Sequence, residues 1–427
     1  MPNKILIIYP HFPPSNLAGV HRPRLFARHL PSFGWEPVIL TVDENYYEEA
    51  PDWDLVKLVP ENLRIEKVKA FKLTRPRIVG DIGLRAFYQL YTRAKELIRS
   101  ERFDFLYIPI PSFYCALLGR WLHNSTKIKY GIDYIDPWVH EFPGSEQLLS
   151  RHWFSTRIAK FLEPIAVAKA VLITGVSESY YMDVLKRNPQ LIGRIISGAM
   201  PYGAEASDHR NLVLDLKKPS LFKKKSAKVQ LVYAGAMLPK ANELLDALFK
   251  SISQNEPVFS GVEFHFIGTG KNSNASENSA VKELAEKYGI WQSIIFEYPE
   301  RLAYLDVLNH LSMADAIFIL GSTEPHYTPS KTFQAILSGK MILSVLHEQS
   351  TAVSVIRHSR AGLVMDFCGS GGVKKIQENF PAFFLEFLKE LRQFDPEKVN
   401  HKYFEQYSAE NMTRRLATLL DKAYIGC

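Results

Sequence analysis

Short runs of apolar residues, each closed by a loop and followed by a helical pattern, recur along this chain in two series, and this rhythm constrains the fold most tightly. Residues 4–9, 37–42, 105–109, 127–134 and 170–176 form the first series; 229–234, 263–267, 294–296, 315–320 and 341–345 form the second. Nearly continuous apolar runs suit strands buried on both faces. Strands alternating with helices predict doubly wound parallel sheets. Between the series, Gly203, Asp208, Lys217, Lys218, Pro219 and Lys223 to Lys225 replace hydrophobic periodicity with polar residues. The expected fold is therefore α/β, with two Rossmann-like domains facing a central cleft. The expected boundaries are 1–205 and 226–400, followed by a closing helix over 401–427. In that helix Met412, Leu416, Leu419 and Leu420 fall at helical spacing and are expected to pack back across the joint.

Composition narrows the class. A length of 427 residues gives a prior of about two or three domains. Hydrophobic residues make up 46% and charged residues 23%, as in globular rather than disordered proteins. No apolar run is long enough to span a bilayer, and residues 5–9 are too short for a secretory signal. The scattered Cys115, Cys368 and Cys427 argue against a disulfide framework and fit a reducing cytoplasm. No His-x-x-x-His or other ligand spacing predicts a metal.

The net charge of +7 is concentrated in residues 1–200, which hold 26 Lys and Arg against 20 Asp and Glu. Much of the excess lies over 72–102, beside a helical stripe of Leu84, Phe87, Tyr91, Ala94 and Ile98. Such a helix can rest peripherally on an anionic membrane surface, or its apolar face can simply pack on its own domain. No module for nucleic-acid binding is present.

In doubly wound sheets, ligands bind beyond the carboxyl ends of the strands. The loops there in the second series carry Gly235, Ala236 and Met237 with Lys240 nearby, then Gly268, Thr269 and Gly270, then Tyr298, and finally the turn Thr328, Pro329, Ser330, Lys331 leading to Gln334. Pro329 suits a first helical turn and Thr328 its cap, so backbone N–H groups and the Lys331 ammonium are expected to converge on a diphosphate. Neither a complete GxGxxG nor a phosphate-loop motif occurs, which removes support for dinucleotide redox chemistry and ATP hydrolysis. The corresponding loops of the first series carry Ala18, Gly19, and the run Asp136, Pro137, Trp138, Val139, His140, Glu141. An aromatic face beside carboxylates and a histidine suits a sugar ring. The plainer alternative is a turn capped by Asp136 with Trp138 inside.

The Pro-rich loop with Ala18 and Gly19, the Asp136-Pro137-Trp138 run, Pro201 to Gly203 and the Lys331 turn, in this order, resemble bacterial glycosyltransferases of the GT-B fold, family 4 type. The resemblance implies transfer of a sugar from a nucleoside-diphosphate donor, usually with retention and without a metal or other cofactor. It also implies glycan or lipid-linked acceptors in surface-polysaccharide and lipopolysaccharide synthesis at the cytoplasmic membrane face. By position, Lys331 would meet the donor diphosphate, with Lys240 and Ser330 assisting. Gly235, Gly268, Thr269, Tyr298, Thr328 and Gln334 would line the donor site. Asp136 would serve catalysis, while Ala18, Gly19, Trp138 and His140 would meet the acceptor. The chain departs from the family where Gln334 and His326 replace two glutamates and Ala236 replaces an arginine. Two alternatives follow: a degenerate member that binds carbohydrate or a partner enzyme, and a nucleotide-sugar 2-epimerase on the same fold.

Overall fold

The computed structural model describes residues 2–74, 79–139, 150–214, 220–225, 227–270, 279–325 and 327–426. The chain forms two compact units: residues 1–203 together with 409–427, and residues 204–408.

The first unit is built on seven parallel strands: β1 (Asn3–Ile8), β2 (Trp35–Val42), β3 (Arg64–Val68), β4 (Phe105–Ile110), β5 (Tyr130–Tyr134), β6 (Leu172–Gly175) and β7 (Ile196–Ala199), in the order β3-β2-β1-β4-β5-β6-β7. Alternation along β1 sends Leu6 and Ile8 into one apolar cluster and Ile5 and Ile7 into another, so both faces of the sheet are covered. The first cluster is completed by α2 (Phe87–Ser100) and α3 (Ala116–Thr126). The second takes residues from α1 (His21–His29) and from the final helix, Ala409–Ile425. Met412, Leu416 and Leu420 of that final helix are buried, whereas Leu419 is only partly buried. Asp421 of the same helix accepts a 2.9 Å hydrogen bond from the Trp35 indole, and Lys129 donates to the Tyr424 carbonyl at 2.7 Å.

The basic stretch over 72–102 is not a free amphipathic face. Leu90, Ala94 and Leu97 are buried, and Phe87, Tyr91 and Ile98 pack against the same cluster. Arg93 pairs with Glu66 and Glu96, both at 2.7 Å. Thus the apolar stripe of α2 belongs to its own unit's core. Among the described residues no helix is long and apolar enough to cross a membrane.

The second unit has six parallel strands: β8 (Val229–Ala234), β9 (Val262–Ile267), β10 (Ile295–Tyr298), β11 (Ala316–Leu320), β12 (Met341–His347) and β13 (Gly362–Phe367), ordered β10-β9-β8-β11-β12-β13. Phenylalanines dominate its core, with Phe264, Phe266 and Phe318 on strands meeting Phe380, Phe384 and Phe387 of the helix Gly369–Leu391. In both units the strand order reverses beside the first strand. Such a reversal opens a crevice at the carboxyl end of the sheet. It lies between β1 and β4 in one unit and between β8 and β11 in the other.

Candidate functional site

In the second unit, the loops that leave β8, β9 and β10 on one side of this reversal are tied to one another through the backbone. Gly235 N–H donates to the Ile267 carbonyl at 3.0 Å, Met237 N–H to Thr269 at 3.0 Å, and Gly268 N–H to Tyr298 at 2.8 Å. Gly235 has φ +141°, and a Cβ built there would meet nothing within 4 Å. A glycine is required there by backbone conformation, and it leaves an open floor beside β8. Across the reversal, Thr323 N–H donates to the Lys240 carbonyl at 3.1 Å, and the Lys240 ammonium pairs with Glu324 at 2.9 Å. Lys240 is therefore already partnered by a carboxylate that sequence reasoning had not connected with it. Thr269 gives its hydroxyl to Glu297, as does Ser279, and Lys282 N–H donates to the other Glu297 oxygen at 3.1 Å. Burial nevertheless raises the Glu297 carboxyl above its ordinary value, against the lowering by these bonds. Tyr298 stacks near His265, with ring centroids 6.1 Å apart.

The turn at Lys331 differs in detail from its sequence expectation. The helix after it spans Lys331–Leu337, its cap position is Ser330, and no side chain caps it. Thr328 is therefore not the cap, because Pro329 and Ser330 lie between it and the helix; at seven residues the helix is also too short to supply a strong terminal dipole. What remains is a set of polar groups without hydrogen-bond or carboxylate partners among the described residues. The Thr328 and Thr332 hydroxyls are buried and make no hydrogen bond among the described residues. The Lys331 ammonium lies 5.5 Å over the Tyr304 ring and has no carboxylate in contact among the described residues. Part of the side chain reaches solvent, yet the protein around the ammonium removes enough water to lower its pKa to about 8, with Arg301 pushing it further down. A second cation, rather than an anion, is the charged neighbour.

Gln334 is buried beside this turn, with its Oε1 2.8 Å from Nε2 of His209. His209 sits on the helix Ala206–Leu214, within the stretch that the sequence had suggested was a polar break. Burial holds its imidazole below the ordinary range. From the same helix, Asp208 accepts a 3.1 Å hydrogen bond from Tyr304, whose ring lies under Lys331. His326 lies outside the described residues.

In the first unit, Ala18 is exposed, and the Cβ position of Gly19 is occupied by the Tyr9 hydroxyl, so packing around Tyr9 accounts for that glycine. Asp136 is exposed. Trp138 is buried in the first core, parallel to Phe113 at 6.2 Å and edge-on to Tyr114 at 6.4 Å, which occupies its ring. His140 lies outside the described residues. A cluster that sequence reasoning missed follows β1 and β2: His11 Nδ1 is 3.0 Å from Glu49, and Ser15 donates to the same oxygen. Burial would raise Glu49, but the bonds from His11 and Ser15 and the His11 charge outweigh it and bring it to about 2. The signal was hidden because the carboxylate comes from a different loop, with no local spacing to reveal it.

No family model matches the sequence, and no curated protein matches it. Solved structures do. A glycosyltransferase from Rickettsia africae ESF-5 superposes with a TM-score of 0.62 at 14% identity, covering 100% of both chains. HepE from Anabaena in complex with UDP gives 0.64 at 12% identity, over 98% of this chain and 100% of its own. A candidate UDP-N-acetylglucosamine 2-epimerase from Listeria monocytogenes gives 0.56 at 11%, over 99% and 97%. The chain has the GT-B fold. At these identities the likeness carries fold alone, and the fold is shared by transferases and an isomerase candidate.

Proposed function

We propose that the protein is a glycosyltransferase that moves a sugar from a nucleoside-diphosphate donor to a hydroxyl of a glycan or lipid-linked acceptor. The observation that carries this reading is the Lys331 turn, where the described residues give the ammonium no counter-charge, a guanidinium as its charged neighbour, and no partner for two buried hydroxyls. A diphosphate offers acceptor oxygens and negative charge to all of them. As the bond from the anomeric carbon to the diphosphate oxygen breaks, charge grows on the leaving group, and Lys331 and Arg301 would stabilise it electrostatically. Gly235 would let the donor approach the backbone, and Gln334, oriented by His209, would hold a ribose hydroxyl. Lys240, Gly268, Thr269, Tyr298, Thr328 and Ser330 complete the proposed donor site.

The first unit would take the acceptor, with Asp136, Ala18 and Gly19 near it and the His11–Glu49 pair orienting its hydroxyl. The proposed outcome is retention, with protein cations serving the role a metal has in other transferases. The setting we propose is surface-polysaccharide assembly in the cytoplasm, a compartment that the scattered cysteines favour.

Calorimetric titration with UDP, GDP and ADP tests the reading. Binding of one nucleotide that Lys331→Ala weakens at least tenfold is expected; no binding of any nucleotide would overturn it. A degenerate, binding-only member is the second reading, favoured by the engagement of Gln334 with His209. Incubation with the matching nucleotide sugar, with and without a mixed acceptor pool, separates the readings: glycosylated product marks a transferase, donor conversion without acceptor an epimerase, and no conversion despite binding a degenerate member.

A further inference from the structure

Two consecutive residues of the helix Ala206–Leu214 reach two positions of the helix that begins at Lys331. Asp208, fully buried, accepts the 3.1 Å hydrogen bond from the Tyr304 hydroxyl, and the buried Tyr304 ring lies beneath the Lys331 ammonium at 5.5 Å. The adjacent His209 meets Gln334 at 2.8 Å. Gln334 follows Lys331 by three residues, so the two stand on one side of their helix. The helix that carries Asp208 is itself held. It packs on the helix Tyr304–Met313, and at its start Ser207 donates its N–H at 3.1 Å and its hydroxyl at 2.8 Å to Glu205. Ala204 N–H donates to the Tyr407 carbonyl at 3.1 Å, and the Tyr407 ring packs against Phe333 of the Lys331 helix, with centroids 5.7 Å apart. Asp208 is therefore presented to Tyr304 from a backbone with anchors of its own.

We propose that Asp208 is a positioning residue of the donor site, fixing through the Tyr304 ring where the Lys331 ammonium stands, an assignment that rests on the donor reading of the Lys331 turn. A lysine side chain loses much rotamer freedom when it is ordered, and no carboxylate among the described residues is in contact with Lys331 to order it. The ring face does so, by the attraction of a cation to π electrons. A phenol that donates to a carboxylate gains electron density in its ring, which deepens that attraction, and it cannot tilt away without breaking a buried, charge-assisted hydrogen bond. The carboxylate meets the rim of the ring and the ammonium its face, so the N–H groups of Lys331 stay available to diphosphate oxygens. A carboxylate in direct contact would hold the lysine as firmly but would compete with the donor, and Lys240, paired with Glu324 at 2.9 Å, has that arrangement.

Asp208→Asn keeps the shape and an acceptor oxygen but removes the charge, whereas Tyr304→Phe keeps the ring but removes the link. Calorimetric titration with the nucleotide that the wild type binds is expected to show about fivefold weaker binding in each variant. Combining the two should weaken binding no further, and Asp208→Asn should have no effect in a Lys331→Ala background, because all three act through one contact. The pH above which binding declines is expected to drop by about half a unit in both single variants, a change that mere loss of packing would not produce. Thermal unfolding serves as the folding control, and Tyr304→Phe carries the test should Asp208→Asn fail to fold. Unchanged affinity in the folded variants, or an equal loss from Asp208→Asn with and without Lys331→Ala, would overturn the assignment while leaving the donor site standing. Wild-type binding that Lys331→Ala leaves intact, or no binding of any nucleotide, would instead remove the donor reading and this assignment with it.

Discussion

Arg22 in the first unit and Lys331 in the second are both cations withdrawn from water, and the two units treat them in opposite ways. Arg22 forks onto Asp133, with one of the two bonds at 2.9 Å, and donates to the Met200 carbonyl at 2.8 Å. Asp133 in turn accepts from Thr174, whose hydroxyl meets Tyr107 at 2.7 Å. Every charge in that network is answered from within. Lys331 has an aromatic ring and another cation for neighbours. The contrast separates charge used to hold a fold from charge held open for a ligand, a distinction that residue identity alone does not make.

The largest effect expected from this contrast concerns stability. Arg22→Met would leave Asp133 buried without its cation and cost roughly 3–5 kcal/mol, lowering the unfolding temperature by about 10 °C. Lys331→Met should act in the opposite direction, removing an uncompensated charge and raising the unfolding temperature by about 2–4 °C while nucleotide binding is lost. Equal destabilisation by the two substitutions, read by calorimetry, would break the comparison.

Next in size is the pH dependence of nucleotide binding. Lys331 titrates near 8 in the free protein, and a bound diphosphate would raise that value, so binding takes up a proton as pH approaches and passes 8. Affinity should fall by up to about tenfold per pH unit above that point. Titration in buffers of different ionisation enthalpy measures the uptake, and its absence would remove Lys331 from the diphosphate.

Gln334→Glu sharpens the comparison by supplying an anion beside the site. Burial now holds His209 below its ordinary value, and a carboxylate at hydrogen-bond distance should raise it. An NMR titration of His209 reads the shift; an unmoved resonance would show that the two side chains do not meet.

An effect on acid stability lies away from the proposed donor site. His265, buried on β9 and held near 4 by desolvation against the pull of Glu263, is protonated more readily unfolded than folded. Its contribution to stability is therefore complete above about 6.5 and is lost as pH falls toward 4, at up to about 1.4 kcal/mol per pH unit. His265→Gln should flatten acid unfolding in that window.

Legibility in the sequence followed burial. The central strands were readable because both faces are apolar, whereas β3, β7 and β13 were missed. Their sequences, RIEKV, ISGA and GLVMDF, are those of sheet edges with one partner strand each. The helix Ala206–Leu214 was passed over amid polar residues, and with it His209, which meets Gln334 from 125 residues away. Lys331 stood out from local sequence alone, but the cap did not, because its position depends on where the backbone becomes helical. Trp138 looked like a sugar platform because sequence does not disclose which side of a turn faces inward.

The last helix, Ala409–Ile425, has a consequence for how the molecule comes into being. During synthesis the first unit emerges first, yet one of its two cores lacks Met412, Leu416 and Leu420 until the segment after residue 408 has been made. The second unit, continuous from 204 to 408, can close while the first is still waiting. A chain cut after residue 408 would therefore display a finished second unit and a first unit with an open apolar face, and it is that form that chaperones would have to shield.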